Sequence, residues 1–151
     1  MARPHRTRSF STESSTVIAA DTERIRARIG AWETWPEWQS EILSTEQPQR
    51  AEPHQIVHGR ARLLGFDVHG RSLVLPSPHH TVEQDVVVGV RMTVRYMLEE
   101  RGSVTAVTHR LDADLPGGLA GTVLSVLLAR RLKRMQIDLL RRLKDQLEES
   151  A

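Results

Sequence analysis

Residues 119–149 read LAGTVLSVLLARRLKRMQIDLLRRLKDQLEE, and this stretch decides the fold. It contains no proline and a single glycine, and its apolar residues recur every three or four positions. The repeating positions are Leu124, Leu128, Leu132, Met135, Leu139, Leu143 and Leu147. This spacing predicts one α-helix, Leu119–Glu149, about 45 Å long and apolar along one face. A helix of that length needs a long apolar surface against which to pack.

The preceding part of the chain predicts an antiparallel sheet that supplies this surface. Alternating or branched apolar runs indicate strands, and glycines and prolines separate them. The predicted strands are residues 10–19, 40–46, 54–64, 66–75, 79–88, 90–99 and 103–113, with a loop at 47–53. Asp21 is suited to cap a helix at 22–29, and Pro36 to begin a second short helix. The predicted class is α+β, with two short helices between strands one and two.

Composition limits what this fold can do. The 151 residues are enough for one domain with one core. The absence of cysteine excludes disulfides and thiolate catalysis. No run approaches the roughly 20 apolar residues of a membrane span. We therefore expect a disordered basic tail at residues 1–8, a single domain at 9–151, a cytoplasmic location and no stable membrane insertion.

The net charge of +2 is unevenly distributed, because the closing helix is rich in cations. These are Arg130, Arg131, Lys133, Arg134, Arg141, Arg142 and Lys144. They lie mostly off the leucine face, which is typical of a solvated helix back. We expect no nucleic-acid partner and a monomer or homodimer. The apolar run 119–129 either dips into a membrane surface or is buried beneath the sheet, and burial is the simpler interpretation.

Two stretches of sequence resemble a known family. Residues 17–29, VIAADTERIRARI, are followed by WETWPEW at 32–38, and residues 90–108 read VRMTVRYMLEERGSVTAVT. The first resembles the opening strand, capped helix and Trp-Pro-x-Trp segment of START-like (SRPBCC) proteins, in particular the polyketide cyclase/dehydrase and lipid-transport group. The second resembles the late hairpin of these proteins. The resemblance covers residues 10–149.

The resemblance implies a helix-grip fold, in which a seven-stranded curved antiparallel sheet wraps around the C-terminal helix and leaves a hydrophobic cavity. Members of the family bind lipids, sterols or polyketides, and a minority catalyse cyclisation or dehydration. The family has no common catalytic residue set, so a pocket is implied but no reaction. The expected partner is therefore a hydrophobic small molecule, with no cofactor.

Strand alternation predicts which side chains line such a cavity. Met92, Val94 and Tyr96 share the apolar face of one strand, and Val107 and His109 share a face of the next. The helix contributes Leu124 and Leu128 as the floor, and the tryptophan cluster contributes Trp35 and Trp38, which either contact the ligand or close the core. No catalytic residue is identified. His79 and His80 point to opposite faces and lack a third ligand, so no metal site is predicted.

His109 is the polar side chain that the pattern singles out. Its imidazole either forms a core hydrogen bond with Tyr96 or backbone, or orients a ligand or moves a proton. Because no second polar group is visibly placed to assist it, the sequence favours a protein that binds an apolar small molecule, lipid-, polyketide- or sterol-like. The alternative is a polyketide cyclase/dehydrase of the aromatase type that uses the same cavity.

Overall fold

The computed structural model describes residues 8–47, 49–51, 54–115 and 119–150. It contains three α-helices and eight strands in those residues. The helices are α1 (Thr22–Gly30), α2 (Trp35–Trp38) and α3 (Leu119–Glu149), with a 3-10 turn at Trp32–Thr34. The strands are β1 (Arg8–Ile18), β2 (Ile42–Thr45), β3 (Gln49–Ala51), β4 (His54–Leu63), β5 (Phe66–Leu75), β6 (Thr81–Val87), β7 (Arg91–Arg101) and β8 (Val104–Leu115).

The predicted helix-grip fold is confirmed. The strands pair antiparallel in the order β1-β8-β7-β6-β5-β4-β2, and α3 lies against β1 and β8. The seven strands in this order correspond to the seven predicted strands. The predicted loop 47–53 needs correction, because Gln49–Ala51 pairs with the same edge of β4 as β2 does. β2 and β3 are thus two pieces of one interrupted edge strand.

Asp21 and Pro36 mark helix starts as predicted, whereas β7 extends two residues beyond its predicted end at 99. The Asp21 carboxylate accepts a hydrogen bond of 2.7 Å from the Arg24 backbone N–H, which caps α1. Pro36 lies in the first turn of α2. Gly102 has a φ of +66° in the two-residue turn between β7 and β8, a conformation that glycine adopts without strain. Of the predicted tail, Arg8 begins β1 and residues 1–7 lie outside the described part.

One continuous core joins the sheet to the helices. It includes Trp38, Ile25 and Ile29 from the short helical segment, the inward residues of β7 and β8, and Leu132 and Leu143 of α3. Polar side chains of α3 attach it to the outer strand of the sheet: Lys144 donates to the Val17 carbonyl, and Glu148 accepts from the Ala19 backbone N–H. Among the described residues, no helix is long and apolar enough to cross a membrane.

Candidate functional site

A cavity lies between the inner face of β4–β8 and the middle of α3. Its volume is about 120 Å³. Its lining is mainly apolar. From the sheet it includes Val57, Val86, Val88, Met92, Val94 and Leu111, and from α3 it includes Leu132, Met135 and Leu139. The alternation of β7 and β8 therefore creates an apolar wall that faces the helix.

Five of the nine residues predicted to contact a ligand line this cavity. They are Trp35, Met92, Val94, Tyr96 and His109. They come from α2 and from the β7–β8 hairpin, which is far from α2 in sequence, so the fold brings them together. The indole N–H of Trp35 donates to the Ile29 carbonyl at 2.8 Å, which fixes the ring at the cavity wall.

The other four predicted contacts lie elsewhere. Trp38, Val107 and Leu128 are buried in the core but do not line the cavity. Leu124 is 42% exposed, so its prediction as part of the floor is wrong. The buried residue in that turn is Ser125. The floor begins at Leu132, two turns further along α3, where the helix passes beneath the sheet.

His109 is 1% exposed and forms its hydrogen bonds with a residue that the sequence analysis missed, Gln136 of α3. The Gln136 amide nitrogen lies 2.8 Å from His109 Nδ1, 2.7 Å from the His109 carbonyl oxygen and 3.2 Å from the Thr12 carbonyl oxygen. The Thr12 hydroxyl donates to the Gln136 amide oxygen at 3.3 Å. This cluster connects α3 to β1 and β8.

The Gln136 amide nitrogen has two hydrogens to donate and lies near three possible acceptors. Two of these are backbone carbonyl oxygens, which only accept hydrogen bonds, so the atom that faces them is the amide nitrogen. The third is Nδ1 of His109, whose role depends on the tautomer of the ring. The same imidazole lines the cavity.

Burial keeps both aromatic polar groups uncharged. It lowers the pKa of His109 from 6.5 to about 4, because the charged imidazolium would lose its hydration. It also raises the pKa of the Tyr96 hydroxyl above its usual range. The two rings pack edge to face with centroids 4.8 Å apart, and Tyr96 packs similarly against Trp38 at 6.5 Å.

Two further polar side chains on the cavity wall escaped prediction. Ser72 of β5 and Gln84 of β6 are both buried and both line the cavity. Each occupies an inward register position of its strand between apolar neighbours. Strand alternation could have indicated these two positions. The pairing of β5 with β6 was needed to show which face of each strand points inward.

A buried carboxylate lies at the cavity rim. Glu41, between α2 and β2, lines the cavity, and its side chain is only 9% exposed. It accepts hydrogen bonds from Arg131 of α3 at 2.8 Å and from the Ser40 hydroxyl at 3.1 Å. Arg131 was expected to be one of the solvated cations on the outer face of α3, but it forms an ion pair with the buried Glu41. It neutralises the acid that connects α3 to the edge of the sheet.

Metal binding finds no support in the described residues, where no group of three or more histidine, aspartate or glutamate side chains is placed to hold an ion. His79 and His80 are exposed and lie in a turn, as the sequence indicated.

Comparison with known proteins identifies relatives of the whole fold. The sequence model of the family described as "Polyketide cyclase / dehydrase and lipid transport" matches residues 9–148. Among curated proteins, none matches the sequence.

Solved structures with the same fold cover nearly the whole chain. The Zhui aromatase/cyclase from Streptomyces superposes with a TM-score of 0.82 at 12% identity, over 93% of this chain and 94% of that one. A protein from Thermus thermophilus has a TM-score of 0.80 at 17% identity (93% and 99%). A START superfamily protein from Mycobacterium smegmatis has a TM-score of 0.75 at 17% identity (93% and 99%).

Proposed function

Because the chain belongs to the polyketide cyclase/dehydrase and lipid transport family, we propose that it binds an apolar small molecule in the cavity between the sheet and α3. The observation that carries this proposal is the apolar wall of β7 and β8 facing Leu132, Met135 and Leu139 across open space. Small-molecule sites are usually concave and apolar, with a few polar groups that set orientation. The ligand class is lipid-, polyketide- or sterol-like.

The polar groups buried in the cavity favour a neutral ligand. Ser72 and Gln84 carry no charge, and burial holds His109 and Tyr96 in their uncharged forms at neutral pH. Arg131 neutralises the carboxylate of Glu41. A charged ligand group beside these buried side chains would lose its hydration without gaining a counter-ion from them. Three arginines also line the cavity, but all three are exposed, and Arg60 and Arg62 are paired with Asp67.

Titration with the neutral dye Nile red tests the binding function. The wild-type protein is expected to give a saturable fluorescence increase. Val94→Trp fills the cavity and should abolish that increase, whereas Val17→Trp, at a position 44% exposed on β1, should retain it. Circular dichroism verifies that both variants fold. If Val94→Trp does not fold, Val94→Phe is the milder substitution that replaces it. Equal dye fluorescence from wild type and a folded cavity-filling variant would contradict binding in this cavity.

A cyclase/dehydrase is the second candidate, and the observation that favours it is an imidazole that faces the cavity beside a tyrosine ring. The state of His109 argues against proton transfer. Its Nδ1 contacts the Gln136 amide, and burial lowers its pKa to about 4, far from neutral. An uncharged imidazole is suited to orient a ligand through one hydrogen bond.

The substitution His109→Gln separates the two candidates. A lost orienting hydrogen bond should weaken ligand binding by no more than about tenfold. A lost proton-transfer group should lower turnover of a poly-β-ketone substrate by about 10²–10⁴ while binding holds. We expect the first result. Collapse of turnover with unchanged affinity would establish the enzyme.

A further inference from the structure

We propose that Ser72 and Gln84 form an oxygen-recognition subsite on the sheet wall of the cavity, so that the ligand carries a carbonyl or hydroxyl oxygen there and is not a plain hydrocarbon. This inference rests on the proposed binding function and specifies its ligand. It assigns to the two residues a role in selecting the ligand.

Both side chains are buried without a partner. Ser72 is 6% exposed, and its Oγ forms no hydrogen bond in the described part of the chain. The large majority of buried polar side-chain atoms in proteins have a hydrogen-bond partner, so Ser72 Oγ is an exception. Gln84 is 7% exposed, and no hydrogen bond of its amide is found in the described residues, but its amide atoms are not fully buried. An unpartnered buried hydroxyl and an unpartnered accessible amide on one cavity wall are both available to a ligand group.

The sheet register places the two residues next to each other. Ser72 of β5 pairs with Val86 of β6, and Gln84 lies two residues from Val86 on the same face. Diagonal neighbours of this kind are about 7–8 Å apart at the backbone, within reach of one glutamine side chain. The same diagonal continues to β7, because Gln84 pairs with Val94 and Tyr96 lies two residues further along. Ser72, Gln84 and Tyr96 therefore lie along one diagonal of the apolar wall.

The chemistry of Ser72 and Gln84 defines the ligand group that the subsite accepts. A serine hydroxyl and a glutamine amide each donate and accept hydrogen bonds, and neither carries charge. A ligand carbonyl or hydroxyl oxygen between them satisfies both and removes the cost of their desolvation. A carboxylate or phosphate is a poor fit because neither residue is a cation. A purely hydrocarbon ligand would leave both groups unpaired.

Fluorene and 9-fluorenone provide a matched pair of probes, because they share a tricyclic skeleton and differ in one carbonyl oxygen. The quantity to measure is the ratio of their dissociation constants, by titration of wild type and of the double variant Ser72→Ala/Gln84→Met. The double variant should lower the preference for fluorenone by about two- to tenfold, the range expected for one net hydrogen bond. Val86→Ala, on the same wall but apolar, is the control and should weaken both probes by a similar factor.

Stability provides a second readout. Ser72→Ala removes an unpartnered buried hydroxyl, so its Tm should equal or exceed that of the wild type, whereas a serine with a structural role would lower it. If both probes bind with the same ratio in wild type and double variant, the oxygen subsite is wrong and the binding function stands. If neither probe binds the wild type, while Nile red does, the cavity rejects this oxygenated skeleton and the subsite is also wrong. Failure of all three probes would overturn the proposed function itself.

Discussion

His109 shows how one buried side chain can favour one function over another. Its position between Val107 and Leu111 follows from strand alternation, and the predicted inward face is confirmed. Burial decides its chemistry by lowering its pKa to about 4, and Nδ1 lies 2.8 Å from the Gln136 amide nitrogen. Of the two interpretations offered by the sequence, the structure supports a hydrogen-bonded core histidine that also borders the cavity.

The depressed pKa of His109 predicts a pH dependence of stability. The unfolded state binds a proton near pH 6.5 and the folded state near pH 4, so the contribution of His109 is complete above pH 6.5 and is lost as the pH falls towards 4. Between pH 7 and pH 4.5, wild type should lose about 2–3 kcal/mol more of its unfolding free energy than His109→Gln loses. Urea unfolding at the two pH values measures this difference. Parallel losses in the two proteins would show that His109 is not buried as an uncharged ring.

Arg131 and Arg142 form a matched pair of substitutions on α3. Arg131 is bonded to Glu41, whose side chain is 9% exposed, whereas Arg142 pairs with the more exposed Asp138 at 3.0 Å. Arg131→Ala leaves a buried carboxylate without its cation and should cost about 1–3 kcal/mol. Arg142→Ala should cost under about 1 kcal/mol. Thermal unfolding compares them, and equal Tm shifts would mean that the Glu41 contact contributes no more than a surface ion pair.

At the scale of elements, the apolar spacing of α3 predicted the helix bounds correctly and its buried face only in part. From Leu128 to Leu147 the predicted face is the buried one. Before Leu128 the first turns leave Val123, Leu124 and Leu127 exposed. Periodicity reports which residues share a face, but the length of helix covered by the sheet depends on tertiary packing.

The edge formed by β2 and β3 depends on a glycine. A Cβ atom at Gly59 of β4 would lie 2.5 Å from the backbone oxygen of Ser44, so Gly59→Ala must displace β2. We expect a loss of about 1–3 kcal/mol. Gly30→Ala is the control, because no atom outside the local helix backbone and the chain neighbours lies within 4 Å of its Cβ position. Its effect should stay within about 1 kcal/mol. Urea unfolding measures both, and equal effects would place the edge strand further from β4 than the structure does.

At the scale of the whole molecule, local patterns predicted the element order, and the family resemblance added the helix grip and its cavity. The polar interior was not predictable, because its contacts are non-local. Gln136 meets Thr12 across 124 residues of sequence. The proximity of Ser72 and Gln84 depends on the register between β5 and β6, which the sequence of one strand does not determine. Sequence alternation identifies an inward position. Tertiary packing decides whether a polar side chain at that position forms a hydrogen bond, lacks a partner or lines a cavity.

Native mass spectrometry of the freshly purified protein tests the central claim, binding of a small molecule in the cavity, most directly. We predict that wild type either carries a co-purified apolar compound or takes up one equivalent of added Nile red. Folded Val94→Trp should do neither, since its indole occupies the space that Val94 borders. A wild-type protein that carries no adduct and takes up no dye, or a folded Val94→Trp protein that takes it up equally well, would contradict the account.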